Sequence, residues 1–205
     1  MISIYDLKPK FQKLLRPITI YLYNHSVTAN QVTISACLIS ILISTVAILV
    51  LPNVKILWLI PFWMLIRMAL NAIDGMLARD FHQQSNLGAY LNEMSDVIAD
   101  SALFLIFIWV EGIHFGMIIA CIFLSLLSEY AGVMGPLIGA SRRYDGPMGK
   151  SDRAFVFGTL SLLLALEWIP VLWVNGVLYI VIILLIYTIY NRVRQGMNEV
   201  ISKTP

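Results

Sequence analysis

Acidic and amide side chains interrupt two long apolar runs between Arg67 and Asp100, and no other feature limits the fold as strongly. Within RMALNAIDGMLARDFHQQSNLGAYLNEMSDVIAD, Asn71, Asp74, Asn92, Asp96 and Asp100 stand beside Gly75, Ala78 and Arg79 in segments otherwise apolar enough to cross a bilayer. A carboxylate at that depth costs on the order of 2.5 kcal/mol or more unless it faces a partner, a metal or a water-filled cavity. The acids must therefore point inward.

Composition identifies the solvent. The chain is 59% hydrophobic and 13% charged, whereas soluble domains carry about 25% charged residues. This pattern is that of an all-α, polytopic membrane protein. A length of 205 residues supplies about six spans of roughly 20 residues and leaves no room for a sizeable soluble domain, so one domain over 1–205 is expected. We place spans near 31–51, 56–79, 87–110, 113–136, 154–174 and 176–193, with Pro170 and Asn175 bracketing the last turn. Residues 29–194 are thus a six-helix bundle. Residues 1–28 read as an amphipathic helix lying at the interface, with Lys8, Lys10, Lys13 and Arg16 toward the headgroups, and not as a cleavable signal peptide. Cys37 and Cys121 fall in apolar spans and read as packing residues. Trp58, Trp63, Trp109, Trp168 and Trp173 fit an aromatic belt near the span ends.

Basic residues orient the bundle. In a six-span arrangement Lys8, Lys10, Lys13, Arg16, Arg79, Arg142, Arg143, Lys150, Arg153, Arg192, Arg194 and Lys203 share one side, and Lys55 lies on the other. The positive-inside rule then makes both termini cytoplasmic, and the acidic cluster opens toward the cytosol. Helical spacing gathers its members. Arg67, Asn71, Asp74 and Ala78 share one face of the second span, and Gly88, Asn92, Asp96 and Asp100 recur every four residues on the third. Two such faces turned together make a pocket of hard oxygen ligands suited to Mg²⁺ or Mn²⁺.

The run Asp74-Gly75-Met76-Leu77-Ala78-Arg79, eight residues, Gly88, three residues, Asn92, three residues, Asp96 resembles the signature of the CDP-alcohol phosphatidyltransferases, D-x-x-D-G-x-x-A-R, eight residues, G-x-x-x-D-x-x-x-D. Every spacing is kept, and Asn71 and Asn92 stand at the first and third Asp, as in a small bacterial inner-membrane subgroup that the chain looks like. The resemblance implies a six-span homodimer in the bacterial inner membrane. It implies transfer of a phosphatidyl or substituted-phosphate group from CDP-diacylglycerol or another CDP-alcohol to an alcohol acceptor, with release of CMP and two bound divalent ions. No nucleic-acid partner is expected. By the same resemblance Asn71, Asp74, Asn92 and Asp96 line the metals, and Asp96 is also the general base. Gly75 and Ala78 leave space for the CDP moiety, Arg79 and Ser85 contact it, and Asn30 and Thr33, in VTANQVT, touch the cytosine.

The chemistry agrees with that assignment. Attack on a diphosphate needs charge neutralised on the phosphoryl oxygens by metals and Arg, and a carboxylate at the nucleophile serves as base. Gly75 and Ala78 also suit close helix packing. Two Asp in place of four predict weaker metal binding, more dependent on substrate, with Asp80, Glu93 or Asp100 as replacement ligands and Asp100 the best placed. In the basic loop SRRYDGPMGKSDRA, Lys150 and Arg153 are the residues expected at an acceptor phosphate, with Arg142 and Arg143 serving either that phosphate or topology. Arg67 is expected to pair with Asp74 or Glu129, and Glu129 with Tyr130 to line the acceptor pocket. Two other classes remain: a catalytically degenerate lipid- or nucleotide-binding protein of the same fold, and a small transporter, which would normally show repeats or broken helices.

Overall fold

The computed structural model describes residues 4–51 and 53–203, with side chains from residue 11 onward; the Lys8 and Lys10 side chains expected at the headgroups lie outside the described residues. Those residues form helices and turns, with no strand among them. The helices are α1 (Ile4–Asn24), α2 (Ala29–Val50), α3 (Leu59–Asp80), α4 (Asn86–Leu105), α5 (Phe115–Val133), α6 (Lys150–Ala165) and α7 (Val171–Lys203). Among the described residues, four segments are long and apolar enough to cross a membrane: Ala29–Val50, Val54–Asp80, Phe115–Ile138 and Val171–Lys203. The remaining two members of the bundle differ for physical reasons. Glu93, Asp96 and Asp100 break the apolar run of α4, and α6 has only 16 residues.

Local chemistry sets the helix starts. Thr28 and Gln31 form a reciprocal capping box on α2, with Gln31 N donating to Thr28 Oγ1 at 3.2 Å and Thr28 N to Gln31 Oε1 at 2.9 Å. Ser85 accepts from Gly88 N at 2.9 Å to begin α4. Asp152 accepts from Gly149 N at 2.9 Å, so α6 starts at Lys150 and not near 154. The same helix stops at Ala165, because Glu167 takes a left-handed φ of 56° and Pro170 follows. The turn therefore precedes Val171, and Asn175 lies inside α7 instead of marking the turn. From there it binds the turn before α5, accepting from His114 N at 3.0 Å and donating to Gly112 O at 2.8 Å.

Packing runs α2 on α3 and α4, α6 on α3, α5 on α4 and α7, and α1 on α3. The main core surrounds Phe157, which stacks on Phe104 at 3.8 Å between centroids and meets Phe107 edge-on at 5.4 Å. Trp63 belongs to this core, donating to Ser40 Oγ at 2.8 Å, unlike the exposed Trp109, Trp168 and Trp173 at helix ends. Leu15 of α1 joins Ile73, Met76 and Leu77 of α3 in a second cluster. Leu38, Leu42, Leu65, Phe123 and Ile180 are exposed, as a lipid-facing surface requires.

α2, α4 and α6 begin, and α3, α5 and α7 end, at one end of the bundle. There the loop 139–149 is pinned to α5 and α7. Arg143 N donates to Gly132 O at 3.0 Å, its guanidinium to Glu199 at 2.6 Å, and Met148 N to Thr188 Oγ1 at 3.0 Å. Hydrogen bonding to Asp145 pushes the Arg143 guanidinium above its ordinary value. Gly146 crosses α7 at φ 121°, where an added Cβ would lie 2.7 Å from Thr188 Cα and Cγ2. Gly146→Ala should cost about 1 to 3 kcal/mol, read as a lower Tm of the detergent-solubilised protein and faster tryptic cleavage after Arg142 and Arg143.

Candidate active site

Two cavities adjoin at this end of the bundle. One of ≈ 650 Å³ is walled by Asn30, Thr33, Asn71, Asp74, Gly75, Ala78, Arg79, Ser85 and Asn92. The other, of ≈ 410 Å³, is walled by Asn92, Glu93, Asp96, Asp100, Glu129, Arg142, Lys150, Arg153 and Arg192. Asn92 and Glu93 belong to both, so the spaces meet at the N-terminal half of α4. The first gathers the residues expected at the nucleotide with Asn71, Asp74 and Asn92. The second holds Asp96 with the two residues expected at an acceptor phosphate.

Short side chains shape the first cavity. A Cβ on Gly88 would lie 2.7 Å from Asn30 Oδ1 and 2.9 Å from Ser85 Oγ, so any other residue there would push both side-chain ends aside. Thr33 faces α3 and donates to Asp74 Oδ2 at 2.7 Å, a contact that sequence spacing does not reveal. The space over Gly75 is shared with the Arg79 guanidinium, whose nitrogens would lie 3.3 Å from an added Cβ.

Ion pairs organise the second cavity. Arg67 is buried and pairs with Asp100 and, at 3.4 Å, with Asp96, in place of the expected Asp74 or Glu129, because α4 and not α5 faces it. Asn71 Nδ2 donates to Asp96 Oδ1 at 3.4 Å, and the Lys150 ammonium contacts Asp96 Oδ2. Arg153, only 2% exposed, spans Asp100 at 3.3 Å and Glu129 at 3.0 Å. Arg192 is equally buried; it pairs with Glu129 at 3.4 Å and donates to the Ser128 carbonyl. Arg142 bridges Glu93 and Glu129 and lies 4.7 Å from the Tyr144 ring centroid. The Nε–H groups of Arg142, Arg153 and Arg192 are buried without an acceptor, which leaves donor capacity around this space. Tyr130 turns away, toward a groove beside Met94, Ile98 and Leu126 on the outer surface.

Arg192 is the residue that sequence reasoning passed over. Among the basic residues near the last span it looked like one more topology signal, and its burial against Glu129 depends on how α7 lies along α5. The three acids considered as replacement ligands are each engaged elsewhere: Asp80 by Arg16 at 3.2 Å, Glu93 by Arg142, and Asp100 by Arg67 and Arg153. Among the described residues no three His, Cys, Asp or Glu side chains converge as a metal-binding group. The free oxygen donors are Asp74 with the amides of Asn71 and Asn92, a hard set that fits one Mg²⁺ or Mn²⁺.

The helical fold, with carboxylates on α3 and α4 at one end of the bundle, belongs to a known class of membrane enzymes. The profile of the CDP-alcohol phosphatidyltransferases matches residues 26–190, and the chain belongs to that family. It is 43% identical over 194 residues to "Inner membrane protein YnbA" of Escherichia coli (strain K12), spanning 94% of this chain and 95% of that protein. Two crystal structures of Mycobacterium tuberculosis phosphatidylinositol phosphate synthase (PgsA1) share the fold at 21% identity. The one in complex with manganese and citrate gives a TM-score of 0.71 over 88% of each chain. The one with CDP-DAG bound gives 0.72 over 92% of this chain and 94% of that one.

Because Asp100 lies between two buried guanidinium groups, Asp100→Ala leaves Arg67 with Asp96 alone and Arg153 with Glu129 alone, so two buried cations each lose one of their two carboxylates. A loss of about 3 to 5 kcal/mol is expected, measured as a large fall in Tm or failure to purify as a monodisperse species. Asn30→Ala, at the open rim of the other cavity, should leave the melting curve nearly unchanged.

Proposed function

We propose that this chain transfers a phosphatidyl or other substituted-phosphate group from a CDP-alcohol such as CDP-diacylglycerol to an alcohol acceptor, releasing CMP, in phospholipid biosynthesis. The observation that carries this reading is the pair of cavities meeting at Asn92, one walled by Asp74 and Arg79 and the other by Asp96 and Lys150. The CDP moiety occupies the first, with Arg79 and Ser85 at its phosphates, Asn30 and Thr33 toward the cytosine, and Gly75 and Ala78 beneath it. The acceptor enters the second.

In the reaction the acceptor hydroxyl oxygen attacks the phosphorus that carries the lipid alcohol. Its proton passes to an Asp96 oxygen, the bridging P–O bond breaks, and CMP leaves. Asp74, Asn71 and Asn92 would hold Mg²⁺ or Mn²⁺ with Asp96 at the edge of the set, and a bound ion supplies charge neutralisation on phosphoryl oxygens. Lys150 and Arg153, which both line the second cavity, serve a phosphate on the acceptor, Lys150 by direct contact and Arg153 by its charge.

The same reading makes the protein a six-span homodimer of the bacterial inner membrane with both termini in the cytoplasm. α4 and α6 complete the six crossings, their polar residues facing inward. Arg142, Arg143, Lys150, Arg153, Arg192 and Lys203 all lie at the site end, which supports a cytosolic opening. The name of the Escherichia coli relative supports the location.

A second reading is a degenerate member that binds a CDP-alcohol without turning it over, favoured by the Lys150 and Arg67 cations already on Asp96. Incubating the purified chain with CDP-diacylglycerol, Mn²⁺ and a panel of alcohols and measuring CMP separates the two. Release that falls about 10²- to 10⁴-fold in Asp96→Asn is expected. Tight CDP-alcohol binding without release, for every acceptor, would establish the second reading instead.

A further inference from the structure

In the second cavity a cation rests on a carboxylate expected to bind metal. Lys150, the first residue of α6, reaches across to Asp96 Oδ2. The other oxygen of the same carboxylate receives Arg67 Nη2 and Asn71 Nδ2, each at 3.4 Å. Both oxygens of Asp96 therefore face N–H donors, two of them on cations. Asn71 contributes to this arrangement by presenting its amide nitrogen, which an aspartate at that position does not have. An ion at Asp96 would have to displace an ammonium and sit beside a buried guanidinium, and like charges at such separations exclude one another.

Asp74 differs. Its Oδ2 accepts the Thr33 hydroxyl at 2.7 Å, and among the described residues no ion pair engages it. It faces the nucleotide cavity with the amides of Asn71 and Asn92, whereas Lys150 faces the acceptor cavity. The two positions flank the junction of the two spaces, where a diphosphate bridging them would place its departing phosphate nearer Asp74 and its transferred phosphate nearer Lys150.

We propose that Lys150 supplies at Asp96 the positive charge that a divalent ion would otherwise bring, so the site takes one divalent ion, beside Asp74, and no second. The ammonium then faces the transferred phosphoryl oxygens as a fixed point charge, which lysine provides well. This rests on the transferase reading, which makes a diphosphate the ligand of the joined cavities. Lys150 gains a role in the reacting group itself, beyond contact with an acceptor phosphate.

Mn²⁺ titration of the purified chain, followed by electron paramagnetic resonance with and without CDP-diacylglycerol, counts the ions directly. One Mn²⁺ per protomer is expected. The Asn71→Asp/Asn92→Asp variant, with Lys150 in place, should still bind a second Mn²⁺ at least about tenfold more weakly than the first. Adding Lys150→Met to that background should bring in the second ion and the spectral broadening of a coupled pair. Two tight ions in the natural chain, none at all, or a second ion whose affinity ignores Lys150→Met would overturn the proposal. CMP release from the natural chain, assayed in parallel, judges the transferase reading separately. Release together with two tight ions refutes only the role of Lys150, and one ion without release refutes only the transferase reading.

Discussion

Charge buried between helices governs this structure. Arg67, Arg153 and Arg192 are almost fully enclosed, and each is held by carboxylates from neighbouring helices: Asp96 and Asp100 on α4 and Glu129 on α5. In hydrocarbon neither partner is tolerable alone, so the pairs dictate which faces of α3, α4, α5, α6 and α7 meet. The helices have little hydrophobic drive to associate once inside lipid. A shared need to neutralise charge supplies the specificity that apolar packing around Phe157 does not.

That arrangement also divides the site. Acids on the α5 side of α4 are consumed by arginines, while Asp74, on α3, stays without a cation and is steadied by the Thr33 hydroxyl. The result is two adjoining spaces of unlike character. One is lined by amides, small residues and a single free carboxylate, and the other by paired charges with spare N–H donors. Asn92 and Glu93 form their common boundary, and the transfer proposed above would use both spaces.

Much of this is legible along the chain because helices impose a fixed period. Four-residue spacing placed Asn92, Asp96 and Asp100 on one face of α4, and Arg67, Asn71 and Asp74 on one face of α3, where the structure has them. Hydropathy placed the starts of α2 and α4 within two residues, and the structure adds the Thr28 and Ser85 caps that fix them. The boundaries that failed were those set by backbone detail: α6 begins at Lys150 because Asp152 caps it, and it ends early because Glu167 adopts a left-handed conformation. Residues 113–136 read as a span, yet nothing in their order reveals that Glu129 collects three arginines.

The sequence by itself determined the membrane solvent, the all-helical class and the family, along with the residues of the signature, because hydropathy and i, i+4 spacing are local properties. Only the tertiary structure decided the partners. Arg67 pairs with α4 and not with Asp74, Asp100 and Glu93 are spent on arginines, Arg192 is interior, and Lys150 rests on Asp96. The physical reason is that one charged side chain in low dielectric takes whichever counter-charge its helix neighbours present. That choice depends on the rotation and contact order of helices far apart in the chain, about which the spacing within any one of them carries no information.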